Sequence, residues 1–226
     1  MQRIATYLGY SETIFIEGGD VPYIRIFTPA MELPFAGHPL VGAASVMLKS
    51  RPDLDRLRCG IGDVWIRAAE GNWWVDVEMT PDNATVDESG FAARVGLPEP
   101  LSTWRVAMPL DYRMVELTSV SDVSDVSPNL DVFGEAFGLT VYARTGDSIR
   151  MRFFTPKAGV PEDPATGSAA VALATMYVAR GEAAGDVQID QGEEIGHPSR
   201  INLRWQHTLA SIGGSVVADG IRELEL

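Results

Sequence analysis

The chain has 226 residues, 46% of them hydrophobic and 22% charged, enough for one large domain or two small ones with a sizeable core. A net charge of -13 argues against a nucleic-acid partner, and no apolar run reaches the roughly 18 residues of a membrane span. Cys59 is the only cysteine, which excludes an internal disulfide, a cysteine-rich zinc site and a two-thiol mechanism.

In chain order, "MQRIATYL" predicts a short helix. No apolar core follows a basic start there, so the cytoplasm is the expected compartment. "LGYSETIFIEGGDVPYIRIFTP" alternates apolar residues around a Gly-Asp turn and predicts a β-hairpin. "PLVGAASVMLK" predicts a helix with Pro39 at its first position and His38 at the cap. "DVWIRAAEGNWWVDVEM" predicts a second hairpin turning at "EGN", and "WRVAMPLDYRMVELTS" reads as strand. A short helix is expected in "NLDVFGEAF", then a third hairpin in "FGLTVYARTGDSIRMRFFTP". The apolar "SAAVALATMYVAR" predicts a long helix with Gly181 as a C-cap. "DVQIDQG", "SRINLRW" and "LASIGGSVVADGIREL" return to strands.

The first and third hairpins end on the same phrase, Arg-x-Phe-Thr-Pro, and each leads through a turn to the better-formed helix of its half. The chain therefore reads as two related β-rich halves, 1–90 and 91–226, with the seam between Thr80 and Ser102. Strand material precedes the short helix in the second half and has no counterpart in the first. About two strands are thus expected to be absent ahead of Met1, with a last strand at 216–226 completing the first half.

The variation between the copies lies in the turns. In "PFAGHPLVGAA", Gly37 permits a tight backbone, and a helix N-terminus offers unpaired N–H groups and partial positive charge to an anion. The same residues also suit a plain Gly-Pro helix start with a surface histidine. In "PEDPATGSAAVALA", Gly167 and Ser168 open the helix, with Ser168 as a cap or facing a ligand and Asp163 in the turn before it. The alternative is a solvated acidic turn. Two related halves packed about a pseudo-dyad would bring both helix ends to one cleft, where a small carboxylate could be neutralised without a lysine.

Glu12, in "GYSETIF", is the candidate proton-transfer group. Burial against Ile14 and Phe15 would raise its pKa toward neutral, and a solvent-facing strand-edge residue is the other reading. His197 and His207 read as turn residues, and Cys59 as buried filler. No spacing of His, Asp and Glu makes a metal site.

With "GYSETIF", "FTPAMELPFAGHPLVGAA", "FTPKAGVPEDPATGSAA" and "DQGEEIGHPSRI" in order, the chain resembles the PhzF-like isomerases of phenazine biosynthesis. The resemblance implies an α+β, diaminopimelate epimerase-like fold of two pseudo-symmetric domains, each a β-barrel-like sheet around a central helix. It implies Glu12 as the proton shuttle and His38 and Asp163 as catalytic partners. Gly37, Gly167 and Ser168 would hold a small carboxylate-bearing substrate. The epimerases of that fold carry a cysteine in each turn, where this chain has Ala36 and Pro164. The implied chemistry is proton movement between two carbons of one substrate, without metal or organic cofactor, in a homodimer. A non-catalytic ligand-binding or interaction protein on the same fold is the alternative.

Overall fold

The computed structural model describes residues 1–221, 223 and 224. The chain opens with α1 (Gln2–Leu8), β1 (Thr13–Glu17), β2 (Tyr23–Phe27), the two-residue β3 (Glu32–Leu33) and α2 (Gly37–Ser50). Next come β4 (Arg56–Cys59), β5 (Gly62–Ala69), β6 (Asn72–Glu78), β7 (Ala84–Val86) and the short α3 (Phe91–Arg94). β8 (Ser102–Met108), β9 (Leu110–Glu116), α4 (Val120–Asp125), β10 (Gly138–Thr145), β11 (Ser148–Thr155) and β12 (Val160–Asp163) lead to α5 (Gly167–Ala179). β13 (Ala184–Gln191), β14 (Ser199–Gln206) and β15 (Leu209–Gly214) close the described strands.

The repeat in the sequence is a repeat in the pairing. β2 pairs antiparallel with β1 and β3 and parallel with β4. In the same way, β11 pairs antiparallel with β10 and β12 and parallel with β13. β4–β5–β6 and β13–β14–β15 are antiparallel ladders, and β15 pairs with β6 to join the halves into one mixed sheet. α2 packs on β5, β6 and β15, while α5 packs on β14, β15, β8 and β7. α5 is apolar on every side and buried from Gly167 to Tyr177, as a helix at the centre of a barrel must be.

The halves differ at one edge. β10 is covered on its other side by β9 in parallel, and β9 by β8. Among the described residues, no strand lies on the outer edge of β1. On α2, Val46 is exposed.

Several sequence expectations need correction. "NLDVFGEAF" forms only one 3-10 turn, Leu130–Val132, because Gly134 (φ 59) turns the chain out of the helix. α4 was not anticipated; Ser119 caps it, its hydroxyl accepting from the Asp122 N–H at 3.1 Å. β15 ends at Gly214, and the described residues of 216–226 form no strand; Arg222, Glu225 and Leu226 lie outside the described residues. The hairpin at "EGN" is present, with Glu70 (φ 56) and Gly71 (φ 74) both left-handed, as a tight two-residue turn requires. Gly181 (φ 98) follows the C-cap of α5, as expected.

The repeated arginine has one job in both copies. Arg25 forks onto Glu32 of β3 with two bonds of 2.8 Å, and Arg152 forks onto Glu162 of β12 at 2.9 and 2.8 Å. The first pair is exposed. The second is about nine-tenths buried, and Arg152 also donates to the carbonyls of Ser124 and Val126. Arg152→Ala should therefore cost about 3–5 kcal/mol by stranding a buried carboxylate. Arg25→Ala, at an exposed pair screened by solvent, should cost far less. Chemical denaturation of the two variants checks the contrast.

Candidate active site

The second copy's fork separates two adjacent carboxylates. Glu162 is held outward by Arg152, and Asp163, the last residue of β12, turns inward and is 4% exposed. The ladder register pairs Asp163 with Phe153, as Leu33 pairs with Ile26 in the first half. The acid on this turn thus occurs once per chain. Glu12 is likewise single: one residue ahead of β1, it corresponds by register to Gly138 at the start of β10. A Cβ on Gly138 would run into the ring of Phe153, so that half has no room for a second acid.

The two helix N-termini meet. A Cβ built on Gly37 would lie 2.5 Å from the Cα of Gly167, and one on Gly167 would lie 2.7 Å from the Cα of Gly37. Glycine is needed at both positions for this backbone-to-backbone contact. The helices begin at these glycines, capped by Ala36 and Thr166. His38 is therefore the second helical residue and Pro39 the third, rather than cap and first position. Ser168, also second in its helix, does not cap; its hydroxyl meets that of the buried Tyr112.

His38 joins the two halves. Its Nδ1 donates to the carbonyl of Ala165 at 2.5 Å, and its Nε2 lies 2.9 Å from Oε2 of Glu12. A carbonyl only accepts, so Nδ1 carries a proton; with Glu12 ionised, Nε2 carries one too. Burial pushes His38 down, but the Glu12 carboxylate, then Asp163 and the Ala165 carbonyl, raise it from 6.5 to about 9. Burial also pushes the Glu12 carboxyl up, yet His38, helped by Ser11, holds it below the ordinary carboxylate value. The expected rise of Glu12 toward neutral is thus overturned by a partner 26 residues away in sequence. Asp163 does rise, from burial first and the Glu12 charge second, against the pull of His38.

Ligand atoms of Glu12, His38 and Asp163 lie within 4.8 Å of one another. Both ring nitrogens of His38 are engaged, which favours proton handling over metal ligation for this cluster. Oδ1 of Asp163 is buried without a hydrogen-bond partner. The hole enclosed by Glu12, His38, Tyr112, Asp163 and Ser168 is about 20 Å³, room for about one water. A cavity of about 700 Å³ adjoins it and shares Glu12, His38 and Gly167; its further wall is largely apolar, with Ile14, Val41 and Ile212.

All six expected site residues are thus gathered in one place. Thr166, Tyr112 and Gln191, which also line or brace it, were not anticipated. Gln191 sat in a quoted motif, but nothing in its spacing announced a contact with Asp163. Cys59 is buried away from the site, and burial pushes its thiol up; His197 and His207 are exposed turn residues.

A duplicated α+β chain, each half a sheet curled on one helix, with the N-termini of the two helices in contact, has the epimerase-like fold. Within it, the chain belongs to the phenazine biosynthesis-like protein (PhzC-PhzF) family, whose model matches residues 1–89 and 102–218. It is 34% identical over 242 residues to the trans-2,3-dihydro-3-hydroxyanthranilate isomerase of Pseudomonas chlororaphis, covering 97% of this chain and 86% of that protein. An uncharacterized isomerase of Pasteurella multocida is 31% identical, with 99% and 83% covered. Among solved structures, a predicted epimerase from Pseudomonas aeruginosa matches with TM-score 0.73 and 27% identity, covering 96% and 86%. A putative phenazine biosynthesis PhzC/PhzF protein from Clostridium difficile shares the fold at TM-score 0.77 and 18% identity, covering 100% and 87%. The chain is an enzyme of the isomerase type. Among the described residues, no helix is long and apolar enough to cross a membrane.

Proposed function

We propose that this isomerase moves a proton between two carbons of a small carboxylate-bearing metabolite, in the cleft between its halves. The observation that carries the reading is the Glu12–His38 pair, 2.9 Å apart, beside Asp163 at the junction of two helix N-termini. Glu12 rests ionised and takes the proton; as a carboxylic acid it returns it to a second carbon. His38, held by the Ala165 carbonyl, stays cationic and offsets the negative charge that develops. Asp163 orients the substrate through its free Oδ1. The first N–H groups of α2 and α5, at Gly37 and Gly167, and the Ser168 hydroxyl hold its carboxylate.

A base depressed by its partner is weak in the empty site. Substrate seated between Glu12 and His38 would part them. Burial, opposed by the Ser11 hydroxyl, would then govern Glu12 and raise its basicity when the C–H bond is in place. The substrate reaches the pair through the 700 Å³ cavity, whose apolar wall suits a hydrocarbon ring or chain beyond the acid group. The proposal takes 1–90 and 91–226 as the halves, and a cytoplasmic homodimer without metal or cofactor as the working unit. Trans-2,3-dihydro-3-hydroxyanthranilate, named for the Pseudomonas relatives, is the first compound to assay. Conversion followed by NMR supports the reading, and binding without conversion of this or related acids opposes it.

The pH profile should follow the pair. His38 is raised in the folded state, so its contribution to stability is complete below about 6.5 and is lost as pH rises through about 9. Glu12 is lowered, so its contribution is present above 4.5 and is lost only at more acidic pH. The kcat/KM should hold level from 4.5 to about 9 and fall above that. The pH dependence of kcat/KM checks this expectation.

A further inference from the structure

We propose that Gln191 is a positioning residue that, through Thr166, fixes which oxygen of Asp163 is presented to the substrate. The inference rests on the proposed role of Asp163. Gln191 ends β13 and is 1% exposed. Its amide nitrogen donates twice, to the Asp163 carbonyl at 2.6 Å and to the Thr166 hydroxyl at 2.9 Å. Its amide oxygen accepts the Thr166 N–H at 3.0 Å. Both donors are spent on the turn between β12 and α5.

The direction of these bonds has a consequence for Asp163. The Thr166 oxygen already accepts a proton from Gln191, so its own O–H must point elsewhere. It donates to Oδ2 of Asp163 at 2.5 Å. Oδ2 is thereby occupied, and Oδ1 is left buried and free, facing the hole shared with Glu12 and His38. Without Gln191, the hydroxyl oxygen loses the donor that fixes its proton toward Oδ2. The backbone on either side is also held. Ser199, the partner of Gln191 across the β13–β14 ladder, donates its one hydroxyl proton to the Pro164 carbonyl, with the backbone carbonyl of Gln191 3.3 Å away. Gly192 (φ 84) lets the backbone turn away against Pro164 where a Cβ would collide.

The titration of Asp163 separates positioning from support. The ionisable groups facing it are Glu12 from the segment before β1, His38 of α2 and Tyr112 of β9. Burial and the Glu12 charge hold its carboxyl up, and the His38 charge, the Thr166 hydroxyl and the Ala165 N–H work against them. Removing that hydroxyl's aim should raise the carboxyl midpoint further. Loosening the turn so that water enters should instead lower it toward the ordinary value near 3.8.

The test is carboxyl-carbon NMR of Asp163 across pH in the full chain, with no substrate present. Gln191→Leu and Thr166→Val should each raise the midpoint by about one pH unit. Thr166→Ser, which keeps the hydroxyl, should restore it. An unchanged or lowered midpoint in folded Gln191→Leu overturns the proposal. Should that variant fail to fold, equal midpoints for Thr166→Val and Thr166→Ser overturn it. The readout needs no turnover, so failure of the proposed reaction and failure of this relay are told apart.

Discussion

Glu12→Gln should lower turnover by about 10²–10⁴-fold while leaving the affinity for a small acid nearly unchanged. The amide keeps the shape of the side chain and removes only its ability to carry a proton between carbons. The fold should survive, because His38, whose side chain is 35% exposed, can shed its proton once its partner is gone. Its midpoint should then fall from about 9. Steady-state kinetics and calorimetric titration of the same ligand separate the two quantities. Retention of full turnover would remove Glu12 from the mechanism.

Gly37→Ala and Gly167→Ala should be nearly as damaging, by a different route. A new Cβ at either position meets the backbone of the opposite helix end, which has no flexible side chain to swing aside. Overpacking of this kind costs about 3 kcal/mol or more when the backbone itself must move. For a chain of this length, that is a drop in melting temperature of about 6–12 °C. The helix ends would part, so the site would lose activity beyond the loss of folded protein. Gly42→Ala is the control. It lies inside α2 with nothing within 4 Å of an added Cβ, and should be neutral or stabilising by about 0.5–1 kcal/mol. Thermal melts of the three variants decide this.

What the sequence made legible was what is written locally. The hairpins announce themselves by alternation around Gly-Asp and Glu-Gly turns. The two candidate-site turns announce themselves by glycine at the start of an apolar helix, and the duplication tells that these two ends belong together. α4 is built of Val, Ser and Asp, weak helix formers, and is held by its Ser119 cap and its packing on β10 and β11 rather than by propensity. The pKa of Glu12 was misjudged for a related reason. Its neighbours in sequence say "buried", but the deciding group, His38, arrives from the next helix. Gln191 was invisible as a site residue because its contacts span 25 and 28 residues and depend on β11 pairing with both β12 and β13. Alternation and turn chemistry carry no information at that range.

The most direct measurement is proton NMR of small carboxylic acids held with the wild-type chain in D₂O, restricted to those that shift the His38 resonances. If Glu12 moves a proton on carbon, at least one such acid should come back rearranged, or with deuterium at the carbon that lost or gained the proton. The same acid should be left untouched by Glu12→Gln. If every acid that binds beside His38 is returned with all its carbon-bound hydrogens in place, the chain does not perform proton transfer at this site.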